Sequence, residues 1–106
     1  MDDVPTISTH VLDTERGQPA QGITVRLFRL SGAAVEEVGG GTTDADGRIR
    51  RALASALIEG EYRIEFSVDG PFFRHAAVTF VVADASRSYH VPLLLAPYSM
   101  TTYRGS

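Results

Sequence analysis

The sequence predicts a mainly β fold: a two-sheet β-sandwich of about seven to eight short strands. The prediction treats residues 1–106 as a single domain. Three observations carry it. Apolar residues recur with period two over several stretches, as they do on a half-buried strand. Gly, Pro and Asp clusters interrupt these stretches about every ten residues, the rhythm of a sandwich. The length, with 43% apolar and 22% charged residues, suits one ordinary core.

Each element follows from local chemistry. Ile7 to Asp13 reads as a strand that ends before the turn residues Arg16-Gly17-Gln18-Pro19. Ile23, Val25 and Leu27 then alternate with Thr24, Arg26 and Phe28, a half-buried strand. The run Gly39-Gly40-Gly41 leads to Asp44-Ala45-Asp46-Gly47, a strong turn signal, because Asp caps locally and Gly tolerates positive φ. Arg48-Ile49-Arg50 opens the next strand. Arg51 to Glu59 is the one stretch with helical propensity, and it lacks an N-cap, so a turn of helix or a loop is expected, ended by Gly60. Tyr62, Ile64, Phe66 and Val68 give the clearest strand. Asp69-Gly70-Pro71 breaks it, and Val78, Phe80 and Val82 form another. Tyr89 to Leu95 is a further strand in which Pro92 marks an edge or a bulge.

Composition narrows the chemistry. The chain has 10 basic and 13 acidic side chains, a formal net charge of −3, which disfavours nucleic acid or an anionic membrane as a partner. It contains no Cys, Trp, Asn or Lys, so every basic residue is Arg. Thiol nucleophiles, thiolate metal sites, disulfides and lysine Schiff bases are thereby excluded. No apolar run approaches the ~20 residues that span a bilayer. The start, Met1-Asp2-Asp3-Val4-Pro5, has no secretory-signal character, so a cytoplasmic location is the expectation.

Acid–base work near neutral pH falls to three histidines, His10, His75 and His90. Singly, each reads as a packed or surface residue, Arg48 as a solvated charge and the C-terminal Tyr103-Arg104-Gly105-Ser106 as a frayed end. A three-histidine metal site is disfavoured because the spacings match no i,i+4 or hairpin ligand pair, so no metal is expected.

Taken together, several stretches change this reading. They are Ser8-Thr9-His10-Val11-Leu12-Asp13 with Gly17-Gln18-Pro19-Ala20, Thr43-Asp44-Ala45-Asp46-Gly47-Arg48-Ile49, Tyr89-His90-Val91-Pro92-Leu93-Leu94-Leu95, and the terminal Tyr103-Arg104-Gly105-Ser106. With these, the chain resembles the transthyretin-like 5-hydroxyisourate hydrolases from about Ile7 to Ser106. The middle motifs also occur in other sandwich modules, whereas the His10, His90 and tail segments are specific. In the transthyretin hormone carriers the equivalents of His10, Arg48, His90 and the tail are replaced; here all four are present.

The resemblance implies a transthyretin-like (prealbumin-like) sandwich that opens the ring of 5-hydroxyisourate in urate breakdown, without metal or organic cofactor. It implies a homotetramer, a dimer of dimers, with sites at the dimer–dimer interface. His10, Arg48, His90 and Ser106 are the implied catalytic residues, and Tyr103, Arg104 and Gly105 the implied substrate-binding tail. A non-catalytic ligand carrier on the same fold is the alternative. Three departures stand out. Ser88 replaces a histidine usual in the family, Met100 replaces a tail tyrosine, and the stretch from Phe66 to Val78 is too short for the family's helix, which is expected to be absent or cut to one turn.

Overall fold

In the computed structural model, which describes residues 4–105, ten strands and no helix are assigned. They are β1 (Ile7–Asp13), β2 (Gln18–Pro19), β3 (Thr24–Ser31), β4 (Ala34–Thr42), β5 (Arg48–Ile49), β6 (Gly60–Ser67), β7 (His75–Val82), β8 (Tyr89–His90), β9 (Leu93–Ala96) and β10 (Ser99–Thr102). The second sheet is a regular antiparallel array in the order β4-β3-β6-β7. The first is built around β1, in the order β10-β9-β1-β2, with β5 and β8 also paired to β1.

Alternation sets the core. Ile7 and Val11 of β1, Val25 and Leu27 of β3, and Tyr62, Ile64 and Phe66 of β6 are all almost fully buried between the sheets. Side chains of successive strand residues point to opposite faces. Ser8, His10 and Leu12 therefore lie on the outer face of the first sheet. This parity decides which side chains can meet there.

The expected two-sheet sandwich is observed, and several strands differ in detail. The stretch after Phe66 contains no helix, as its length requires; Val68 and Asp69 turn back through hydrogen bonds to Arg74. The helix-prone stretch from Arg51 is not helical either. Ala52 donates to the Ile7 carbonyl at 2.8 Å and accepts from Gly40 at 2.7 Å, while Ala54 donates to Val38 at 3.0 Å. These strand partners leave no backbone groups for an i→i−4 ladder. Strands β4 and β10 had no sequence signature: β4 is an exposed edge with three consecutive glycines, and β10 is the polar arm of a hairpin on β9. The predicted strand from Tyr89 to Leu95 is cut at Pro92, which has no N–H to donate. No helix among the described residues is long and apolar enough to cross a membrane.

Candidate functional site

Four short pieces of chain meet on the outer face around the first half of β1. Odd-numbered backbone groups of β1 point to one edge, where Val11 donates to Gly47 at 2.7 Å and Ile7 accepts from Ala52. Even-numbered groups point to the other, where the Thr6 and Ser8 carbonyls each accept at 2.9 Å, from Tyr89 and Val91. In register, His10 pairs with Arg48 and Ser8 pairs with His90. Side chains of directly paired residues share a face. His10, Arg48, Ser8 and His90 are therefore brought together, half-buried, on one surface.

The Asp44–Gly47 turn places Arg48. The Asp44 carboxylate accepts from the backbone N–H of Asp46 at 2.9 Å and of Arg48 at 3.0 Å. These bonds and the nearby Arg50 hold that carboxyl below its usual range, the Arg48 bond first. Gly47 has φ +74°, and a Cβ there would stand 2.4 Å from the Val11 carbonyl, so only glycine fits against β1. Among the described residues the Arg48 guanidinium makes no ion pair. Its positive charge is thus available to a ligand.

His90 is held on three sides. Its Nδ1 lies 2.8 Å from Ser8 Oγ. Its carbonyl accepts from the Gly105 N–H at 2.8 Å, the bond that pins the tail. Gly105 itself packs on the ring: a Cβ there would fall 2.5 Å from His90 Cδ2. Thr9 Oγ1 donates to the Val91 carbonyl at 2.6 Å and fixes the chain just beyond. Burial pushes the His90 imidazole below its ordinary value of 6.5, Arg48 and His10 add repulsion, and the Ser8 backbone acts the other way. A neutral imidazole facing an unpaired guanidinium is a combination suited to proton transfer and oxyanion stabilisation.

These side chains border an open groove of about 450 Å³ lined by Ser8, Thr9, Arg48, Arg50, Ser88 and His90. His10 stands beside it. Ser88, at the position of the missing family histidine, accepts from the Thr6 N–H at 3.0 Å. The other tail residues face elsewhere. The Arg104 guanidinium lies 4.6 Å over the Tyr89 ring, and Tyr103 lines a separate apolar hollow of about 230 Å³ with Val78 and Phe80. Ser106 lies outside the described residues, so its expected place is not described. His75 begins β7 and is exposed, away from the site. A larger depression of about 620 Å³ at the far end of β1 gathers Asp13, Glu15 and Asp69 but no imidazole. Among the described residues, no three His, Asp or Glu side chains form a metal-ligand set.

Nothing in the sequence assigned a role to Ser8 or Arg50. The signal for Ser8 was its parity with His10, two residues along β1.

The fold and groove define a class: a transthyretin-type sandwich with imidazoles and a guanidinium on one outer sheet face. Comparison with known proteins makes the assignment particular. The HIUase/Transthyretin family matches residues 7–105, and the chain belongs to this family. The 5-hydroxyisourate hydrolase of Caulobacter vibrioides is 38% identical over 112 residues, covering 94% of this chain and 97% of that protein. The structure of the Klebsiella pneumoniae 5-hydroxyisourate hydrolase superposes with a TM-score of 0.84 at 35% identity, covering 96% of this chain and 99% of that one. Sea bream transthyretin, solved with thyroxine, superposes with a TM-score of 0.86 at 27% identity, covering 93% of each chain. Hydrolase and carrier fit the backbone equally well, so fold alone does not separate them. The side chains on the outer face must do so.

Proposed function

We propose that this chain is a 5-hydroxyisourate hydrolase. The observation that carries the reading is the convergence of His10, Arg48 and His90 on one sheet face, with Arg48 and His90 lining its groove. Three separated motifs supply them, and a carrier of apolar hormones has no use for two imidazoles beside an unpaired guanidinium.

In the reaction, the oxygen of water bonds to a ring carbonyl carbon and the adjacent ring C–N bond breaks. The product carries a carboxylate and a freed nitrogen that takes a proton. His10 and His90 divide the two proton transfers. Arg48 holds the planar substrate through its fork of N–H donors and offsets the oxyanion of the tetrahedral intermediate. Gly105 anchors the tail on His90; Tyr103 and Arg104 build the pocket wall and fix the tail, and Ser106 orients the water or a histidine through its hydroxyl. These groups supply base, acid and oxyanion partner, so the reaction needs no metal or organic cofactor. The working form is a cytoplasmic homotetramer, a dimer of dimers whose paired faces enclose the grooves.

The test is the decay of freshly generated 5-hydroxyisourate, followed by absorbance. The wild-type chain accelerates it, a chelator leaves the rate unchanged, and His10→Ala and His90→Ala each abolish most of it. Wild-type rates in both variants would sink the reading. Binding of aromatic ligands without turnover would favour the carrier. Sedimentation checks the tetramer.

A further inference from the structure

We infer that Ser8 is a positioning residue that holds His90 as its Nδ1–H tautomer, so that Nε2 faces the substrate groove as the water-activating base. The inference rests on the hydrolase reading for its chemistry, but the tautomer is a property of the chain alone.

A neutral imidazole carries one proton, and the nitrogen that holds it is set by what the other meets. Ser8 and His90 are directly paired on adjacent parallel strands, so the hydroxyl is delivered to the ring by the backbone register itself. Ser8 Oγ lies 2.8 Å from Nδ1. A hydroxyl could either donate to that nitrogen or accept from it. The groove breaks the tie: Arg48 and Arg50 line it with His90 and can only donate, which favours a lone pair on the ring nitrogen that Ser8 does not hold. Nδ1, beside the Ser8 hydroxyl, then carries the proton. Nε2 then keeps its lone pair.

Nothing among the described residues claims that lone pair. The hydrogen bonds of the ring end at Ser8, and Gly105 covers the Cδ2 edge through carbon contact only. Among the described residues, the charged and titratable groups around the ring are Arg48 from β5, His10 from β1 and Arg50 on the groove wall; none of these is an anion. No carboxylate among the described residues, then, holds the imidazole as a cation. It remains a base until it takes a proton from water, and Nδ1–H can then give partial charge to Ser8. Proton delivery to the leaving nitrogen falls to His10.

The tautomer is read directly from long-range proton–nitrogen correlation spectra of the full-length protein labelled with ¹⁵N at histidine. The expected wild-type result is a protonated Nδ1 and an unprotonated Nε2 in His90, assigned by loss of its signals in His90→Gln. Ser8→Ala shifts His90 toward the Nε2–H form and lowers kcat about fivefold to tenfold, the scale of one hydrogen bond, with KM nearly unchanged. Ser8→Thr keeps a hydroxyl and restores both. A wild-type spectrum showing Nε2–H overturns the inference, and so does a Ser8→Ala protein with unchanged tautomer and kcat. Should Ser8→Ala fail to fold, the wild-type spectrum still decides. Should the wild-type protein not hydrolyse 5-hydroxyisourate, the proposed function falls while the tautomer assignment is judged on its own spectrum.

Discussion

The two sheets of this molecule are built on different principles. The second sheet is made of long antiparallel strands of eight or nine residues, three of them, β3, β6 and β7, marked by their own alternation. Its outer arginines are neutralised. Arg26 forms a two-point pair with Glu37 at 3.0 and 3.1 Å, and Arg63 pairs with Glu65 at 2.9 Å. Both guanidiniums lie 5.0 Å from the Phe28 ring between them. The first sheet gathers two-residue strands around β1, with parallel and antiparallel pairing mixed. Of the two arginines at its groove, Arg50 lies 3.9 Å from the Asp44 carboxylate, and Arg48 has no ion pair among the described residues. The second sheet pairs the arginines of its outer face, and the first leaves Arg48 without a carboxylate partner among the described residues.

Mutations separate these roles. His90→Gln removes the imidazole from the first sheet and is expected to lower kcat/KM about 10²- to 10⁴-fold, the usual range for a general base. Its thermal midpoint should stay close to wild type, because His90 is half-buried at the face and outside the core cluster. Phe66→Ala in the second sheet should do the reverse. Phe66 is fully buried, and its truncation should cost about 3–5 kcal/mol of stability in denaturant melts. The fraction that remains folded should turn over at the wild-type rate. If both variants lose rate and stability in parallel, the division between scaffold and site fails.

The same division governs what could be read from the sequence. Strand β6 was legible because Tyr62, Ile64 and Phe66 alternate without interruption, and burial on one face imposes that pattern. The edge β4 was not, since Gly39, Gly40 and Gly41 have no side chains to show a period. At the site the reverse holds. Two residues, as in β5 or β8, cannot display any period, so no local rule shows that Arg48 and His90 flank β1. His10 and His90 were found only as members of a motif set. The geometry that joins them is a property of register between strands at opposite ends of the chain, and register is fixed by the whole sheet. Ser8 needed the register as well: parity placed it beside His10, but only β8 shows that it meets Nδ1.

Gly105 offers a sharper test of the first sheet, with a smaller effect. Gly105→Ala places a methyl where His90 Cδ2 stands, so either the ring turns or the tail lifts. Either response disturbs the base without removing it. A drop of about tenfold in kcat is expected, since a displacement of under an ångström weakens proton transfer but leaves the imidazole in the groove. Stability should change little, because the tail adds one backbone hydrogen bond and the contact with Tyr89. An unaltered rate would mean that the tail is not part of the working site.

The smallest effect separates the sheets by pH. His90 is held below the ordinary imidazole value of 6.5, chiefly by burial, with repulsion from Arg48 and His10. As pH falls through that value the unfolded chain gains protons before the folded one does, so stability declines in that window and the decline ends below the folded pKa. Glu37 in the second sheet is held below its ordinary 4.5 chiefly by its bond to Arg26. The stability it contributes is therefore present above 4.5 and lost only as pH falls through its lower folded pKa. Acid melts should thus show a shallow loss starting near pH 6.5 that His90→Gln removes and Glu37→Gln leaves unchanged. The same protonation sets the acid limb of kcat/KM, which should lie below 6.5. Arg48→Gln should move the His90 titration upward in imidazole spectra, since it removes one source of repulsion. An acid limb above 6.5 would mean that the groove stabilises the imidazolium, and His90 would then be the acid of the pair.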